Sequence, residues 1–167
     1  ARLAVSEALL RLAEMELAVG RVRTARSIFA RLAEHDEPEH GRVAAQAGLL
    51  RCAGERMPER LRAALGGSDV AAQLAALEVA RSAREPGVTH ALASALPAAE
   101  PPLQIALLEL LRRRGESAAA SAVLNAARGS NALVRAAAWR ALGELGDATA
   151  VPLLAEAATS SDAAEQK

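Results

Sequence analysis

The stretch "VRAAAWRALGELGDATAVPLLAEAA", residues 134–158, decides the fold. In it Val134, Ala137, Ala138, Ala141, Leu142 and Leu145 recur at the spacing of one helical face. A break follows at Gly146-Asp147, and then Val151, Leu154 and Ala158 make a second face. Glycine suits a helix C-terminus because it enters the left-handed region without a steric cost, and aspartate suits the next N-cap because its carboxylate accepts orphan backbone N–H groups. The stretch therefore predicts a helix–turn–helix hairpin.

Working outward, the same hairpin recurs. Three earlier segments align with residues 134–158 without gaps at a spacing of 31 residues: "GRVAAQAGLLRCAGERMPERLRAAL" from Gly41, "AQLAALEVARSAREPGVTHALASAL" from Ala72 and "LQIALLELLRRRGESAAASAVLNAA" from Leu103. Leu49, Ala80, Leu111 and Leu142 share one position, Leu61, Leu92, Val123 and Leu154 another, and Leu65, Leu96, Ala127 and Ala158 a third. Ser68-Asp69 and Ser130-Asn131 supply caps where units begin. One hairpin cannot bury both its faces, whereas a stack makes a continuous core, with Ala45, Ala76, Ala106 and Ala138 letting neighbouring helices approach. The predicted fold is all-α, a right-handed α-solenoid of stacked hairpins.

Composition agrees. The 167 residues are 51 % apolar, mostly Ala and Leu, and strong helix formers dominate. Aromatics are 1 %, Trp139 and Phe29 with no Tyr. Lys plus Arg and Asp plus Glu are 20 each, so the net charge of zero argues against a dedicated nucleic-acid binder. Cys52 is the single cysteine, so no intramolecular disulfide forms, and its apolar helical setting reads as structural. No apolar run is long enough to span a membrane. The chain begins at Ala1 rather than Met and reads as a piece of a longer protein. Localisation stays open on this reading, with the cytoplasm favoured and room left for an upstream signal peptide.

Residues 132–158 resemble the short HEAT-like repeat named after phycobilisome lyases, V-R-x-x-A-x-x-A-L-G-x-L-G-D-x-x-A-V-P-x-L. Val134, Arg135, Ala138, Ala141, Leu142, Gly143, Leu145, Gly146, Asp147, Ala150, Val151, Pro152 and Leu154 carry the likeness. The unit from Ala72 departs from it, having neither the Gly-Asp turn nor the Val-Pro pair. "LLRLAEMELAVGRVRTARSIFARLAE" instead resembles one tetratricopeptide hairpin, through Leu9, Leu12, Ala13, Gly20, Ala25 and Phe29, with Glu16 where that motif prefers an aromatic. The expected organisation is a tetratricopeptide-like hairpin over 1–36 and four HEAT-like repeats over 37–160, at about 37–67, 68–98, 99–129 and 130–160. Residues 161–167 read as the start of a further repeat or a frayed tail, since Ser161-Asp162 and Gln166 fall one period after Ser130-Asn131 and Arg135.

"EHDEPEH", residues 34–40, packs two of the three histidines among four acids. Its place in the repeat makes it the connection between the N-terminal hairpin and the array. Asp36 or Glu37 near a helix start, with Pro38 in the first turn, is ordinary N-terminus chemistry. Zinc needs three or four converging ligands, and His40 lies across a Pro-bearing turn from His35, so no metal site is assigned.

No catalytic residue and no cofactor are assigned either. His90 shares its position with Glu59, Ser121 and Pro152, an exposed line of second helices, and has no partner at a catalytic spacing in sequence. "RRR" at Arg112–Arg114 ends a first helix, where cations complement the dipole, and reads as a solvated helix end. Arg42, Gln73, Gln104 and Arg135 form a structural ladder that bonds turns between units. Trp139 shares its position with Gln46, Leu77 and Leu108 and reads as packing between first helices.

The resemblance implies that second helices line a concave protein-binding face. Its exposed positions fall near Glu59, Arg62, His90, Ser94, Ser121, Asn125, Arg128 and Glu156. The expected function is a non-catalytic scaffold or adaptor for another protein or a peptide segment, without membrane insertion or a nucleic-acid partner. Two alternatives belong to other classes: an accessory or lyase-type subunit acting on a tetrapyrrole-bearing protein, and a helical-repeat protein that grips DNA and excises alkylated bases.

Overall fold

The structure, a computed structural model, describes residues 2–34 and 38–145. Nine α-helices run through the described residues, and no strand occurs among them. They are α1 (Arg2–Ala18), α2 (Val22–Leu32), α3 (Glu39–Arg51), α4 (Met57–Gly66), α5 (Val70–Ser82), α6 (Val88–Ala95), α7 (Pro101–Arg114), α8 (Ala120–Ala127) and α9 (Ala132–Leu145). The first helices α3, α5, α7 and α9 begin at 39, 70, 101 and 132, one 31-residue period apart. The chain is an all-α array of helical hairpins, consistent with a solenoid.

Local chemistry sets the boundaries. Asp69 caps α5 by accepting the Ala71 N–H at 3.0 Å, and Asn131 caps α9 by accepting those of Leu133 and Val134 at 3.0 and 3.1 Å. α7 starts on Pro101-Pro102, whose missing N–H groups fall where a helix has no acceptor for them. It stops at Gly115, which takes φ 65° and returns its N–H to Leu111 and Arg112. Gly20, at φ 80°, makes the turn between α1 and α2. Pro38 differs from its sequence reading: it is the extended N-cap of α3, ψ 146°, and stands just outside the first turn. The α5–α6 connection, which lacks the Gly-Asp turn, leaves α5 through an extended Ala83 and enters α6 through Gly87 at φ 90°.

The chain divides into two compact units, residues 1–85 and 86–167. In the first, α1 and α2 pair, and both pack on α3, which packs in turn on α4 and α5. Ala13, Ala25, Phe29, Leu32 and Ala45 form one buried cluster, flanked by Leu9, Leu10, Leu17, Ile28, Leu49 and Cys52. Leu12, an inward position of the hairpin motif by sequence, is 44 % exposed; the helix turns Leu9, Ala13 and Leu17 inward instead. Met57, Leu61 and Leu65 bury one face of α4.

In the second unit, α7 lies against α9, α8 against α9, and α6 against both α7 and α8. Leu92, Leu107, Leu108, Val123 and Ala138 are fully buried there. α9 buries Val134, Ala138, Ala141, Leu142 and Leu145 as its periodicity predicts, and Ala136 takes a buried place that the sequence reading gave to Ala137, which is half-buried. Ala45, Ala76 and Ala138 sit at helix contacts fully buried, while Ala106 remains half-buried. The Gly146-Asp147 turn, the face of Val151, Leu154 and Ala158, and the segment 161–167 lie outside the described residues, as do His35, Asp36 and Glu37.

Candidate functional site

The second helices α4, α6 and α8 each bury one face and present the other to solvent. On α6, Val88, Ala91, Leu92 and Ala95 turn inward while His90 and Ser94 are exposed. On α8, Val123 and Ala127 turn inward while Ser121 and Asn125 are exposed. Because α6 and α8 are neighbours, these four side chains occupy matching positions on adjacent helices of one unit. Arg128, the C-cap of α8, is exposed beyond them. Glu59 and Arg62 are exposed on α4 in the first unit. Glu156 lies outside the described residues.

His90 has a hydroxyl neighbour on its own helix. Ser94, one helical turn on, places Oγ 3.4 Å from Nε2. Both side chains are exposed, and the separation is at the long limit of a hydrogen bond. The i, i+4 geometry of any exposed helix produces such a pair.

Arg42, Gln73, Gln104 and Arg135 all reach turns. Arg42 Nη2 donates to Asp69 Oδ1 at 2.9 Å, so the carboxylate that caps α5 also anchors α3. Gln73 Nε2 donates to the Gly67 carbonyl at 2.7 Å. Gln104 Nε2 donates to the Leu96 carbonyl at 3.0 Å, and Arg135 Nη1 to the carbonyls of Gly129 and Ser130 at 3.2 and 2.9 Å. Gln73, Gln104 and Arg135 thus donate to backbone carbonyls of the turns, and Arg42 to the capping carboxylate.

Of the arginines at the end of α7, Arg112 and Arg114 are tied down, while Arg113 stays exposed to solvent as a helix end implies. Arg112 donates twice to Glu109, at 2.7 and 3.0 Å, and reaches across to Glu144 on α9. Arg113 also donates to Glu109, at 3.2 Å. Arg114, its side chain 15 % exposed, bonds the buried Thr89 hydroxyl at 2.7 Å and Glu116 at 2.8 Å. Arg112 and Arg114 thus link α7 to α9 and α6.

The hydrogen bond from Arg112, helped by Arg113, holds the Glu109 carboxyl down at about 2. A folded-state value below the usual 4.5 stabilises the fold above that pH, and the contribution is lost as pH falls through about 2. Glu109 is half-exposed, so solvent screening keeps the effect modest. In urea titrations the advantage of the wild type over Glu109→Gln should be full at pH 7, shrink below about 4.5 and vanish below about 2. A pH-independent difference would separate the carboxylate from stability.

Cavities open on the described surface of both units. One, of about 410 Å³, lies in the first unit among α2, α3, α4 and the start of α5. Another, of about 390 Å³, lies in the second unit beside Pro97, Gln104 and Asn125. Cys52 borders the first cavity half-buried, and burial pushes its thiol up, away from thiolate. Trp139 is half-buried, with Nε1 unbonded among the described residues, and Phe29 is fully buried. Among the described residues no group of three His, Cys, Asp or Glu converges as a metal site, and no helix is long and apolar enough to cross a membrane.

Residues 88–167 match the family model of HEAT repeats. HEAT repeats commonly serve as protein-interaction scaffolds. No curated protein and no solved structure matches the chain.

Proposed function

We propose that this HEAT-like repeat protein is a non-catalytic scaffold, holding a segment of another protein against its second helices. In this reading residues 1–36 are a tetratricopeptide-like hairpin, and the HEAT-like units follow over 37–160. The observation that carries it is the paired exposure of His90 with Ser121 and Ser94 with Asn125, one period apart on adjacent helices whose other faces are core. Such a surface of mixed charge and hydrogen-bonding groups selects a partner by complementarity more than by apolar area. Arg128 adjoins them at the end of α8, and Glu59 and Arg62 on α4 and Glu156 belong to the same reading.

The two alternatives find less support. A tetrapyrrole needs aromatic or broad apolar surface to stack on, and the two aromatic residues are buried or half-buried. Gripping DNA needs a basic excess, and the net charge is zero.

Native mass spectrometry after incubation in lysate from the source reports a bound partner of any class. With that partner in hand, Arg62→Glu and Arg128→Glu should each weaken binding about tenfold or more, since reversal replaces an attraction by a repulsion. Undiminished binding by both would remove these positions from the interface. A mass increment of several hundred daltons would favour a small ligand over a protein.

A further inference from the structure

The cavity of the first unit has a chemistry that the exposed second-helix positions do not share. It is a trough over α3, walled by α2 on one side and α4 on the other. Leu49, Leu50 and Ala53 form its apolar floor. Three guanidinium groups border it: Arg26 from α2, and Arg56 and Arg60 from the α4 side. No carboxylate lines it among the described residues. Arg56 is engaged by Glu59 at 3.3 Å, in a pair exposed at both ends that gains little in water. Arg26 and Arg60 have no ion pair or hydrogen bond among the described residues, although Arg51 close by is taken by Glu14. The field of Arg26 reaches Cys52 beside the cavity, where with Arg51 it opposes the effect of burial and Glu14 acts the other way.

Unpaired guanidiniums around an apolar depression are an acceptor for an anion on an apolar stem. The low-dielectric wall focuses their field, and the planar fork of arginine matches a carboxylate two bonds at a time. The volume, about 410 Å³, suits a side chain or two and not a folded element. We propose that this cavity binds a glutamate or aspartate of a partner's acidic segment, the carboxylate bridging Arg26 and Arg60 and an adjacent aliphatic residue resting on Leu49 and Leu50. The proposal rests on the scaffold reading, to which it adds an acidic anchor as the feature that the first unit recognises.

The probe is the peptide Ac-Ala-Leu-Glu-Leu-Ala-NH2, titrated into the isotope-labelled full chain and followed by NMR. Saturable shifts are expected at the backbone amides of Leu49 and Ala53 and at the Nε–H groups of Arg26 and Arg60. The same peptide with Gln for Glu should bind about tenfold more weakly, because a charge-assisted bond is replaced by a neutral one. Arg26→Gln and Arg60→Gln, both exposed positions that leave the core intact, should each lower the affinity of the Glu peptide several-fold and leave that of the Gln peptide unchanged. Equal affinity for the two peptides, or shifts that avoid the cavity, would overturn the assignment. So would a phosphoserine version binding more than tenfold tighter than the Glu peptide, which would make phosphate the ligand. Against the partner recovered by mass spectrometry, loss of binding in Arg62→Glu and Arg128→Glu with none in Arg26→Gln or Arg60→Gln would overturn this site and leave the scaffold standing.

Discussion

Leu92→Asp is expected to abolish the cooperative thermal transition of the second unit. Leu92 is fully buried on α6, an eight-residue helix that has no stability of its own without packing. The substitution removes a contribution of roughly 1.5–3 kcal/mol from apolar burial. It also puts a carboxylate where water cannot reach, which costs several kcal/mol more whether it stays charged or takes up a proton. Native domains are stable by only about 5–15 kcal/mol, so the sum consumes most or all of the margin. Leu133→Asp is the control. Leu133 is 65 % exposed in the first turn of α9, where an acid complements the dipole, and the change should be close to neutral. Circular dichroism melts and amide exchange over α6–α9 read both variants. An unchanged melt for Leu92→Asp would take this residue out of the core.

Leu92 was legible from the sequence because burial follows period. Its register-mates Leu61 and Val123 are also fully buried, and the caps at Asp69 and Asn131 stand where the 31-residue spacing puts unit boundaries. What periodicity reports is which face of a helix turns inward. It does not report which neighbour that face meets, because the neighbour is a property of packing. Arg112 shows the difference: helix-end chemistry predicts a cation at that position, but its reach to Glu144, 32 residues on, depends on how closely α7 and α9 lie. His90 and Ser94 are legible as an i, i+4 pair on one helix, a spacing that carries no catalytic signal of its own. The cavity was illegible for the same reason as Arg112. Arg26, Gln46 and Arg60 belong to three helices, and nothing in their spacing says that α2 and α4 stand apart over α3. α1 carries apolar residues on every side among Glu7, Arg11, Glu14 and Glu16, with Leu3, Val5, Leu12 and Met15 exposed, so period alone does not tell Leu12 from Leu9.

The first unit contains the clearest case of a contact that sequence leaves unmarked. Gly48, in the middle of α3, occupies the repeat position held by Val79, Leu110 and Ala141 in the other units. A helix interior disfavours glycine by about 1 kcal/mol relative to alanine, so the residue needs a reason. The reason is Phe29, the chain's single Phe, fully buried on α2. A Cβ on Gly48 would lie 2.4 Å from Phe29 Cε1 and 2.5 Å from Cδ1 and Cζ. The ring is fully buried in one cluster with Ala13, Ala25, Leu32 and Ala45, so moving it disturbs packed neighbours. Gly48→Ala should therefore destabilise the first unit. The overpacking cost of about 1–3 kcal/mol outweighs the gain of about 1 kcal/mol in helix propensity. Phe29→Ala, which empties the site, should cost about 3–5 kcal/mol. The decisive comparison is Gly48→Ala in a Phe29→Leu background. With the ring edge gone, the added methyl has room, and the same substitution should become neutral or stabilising by up to about 1 kcal/mol. Denaturant unfolding of the four proteins in the cycle measures the coupling. Additive effects would mean that the ring and the glycine do not hold each other in place, and α2 would have to meet α3 through other side chains.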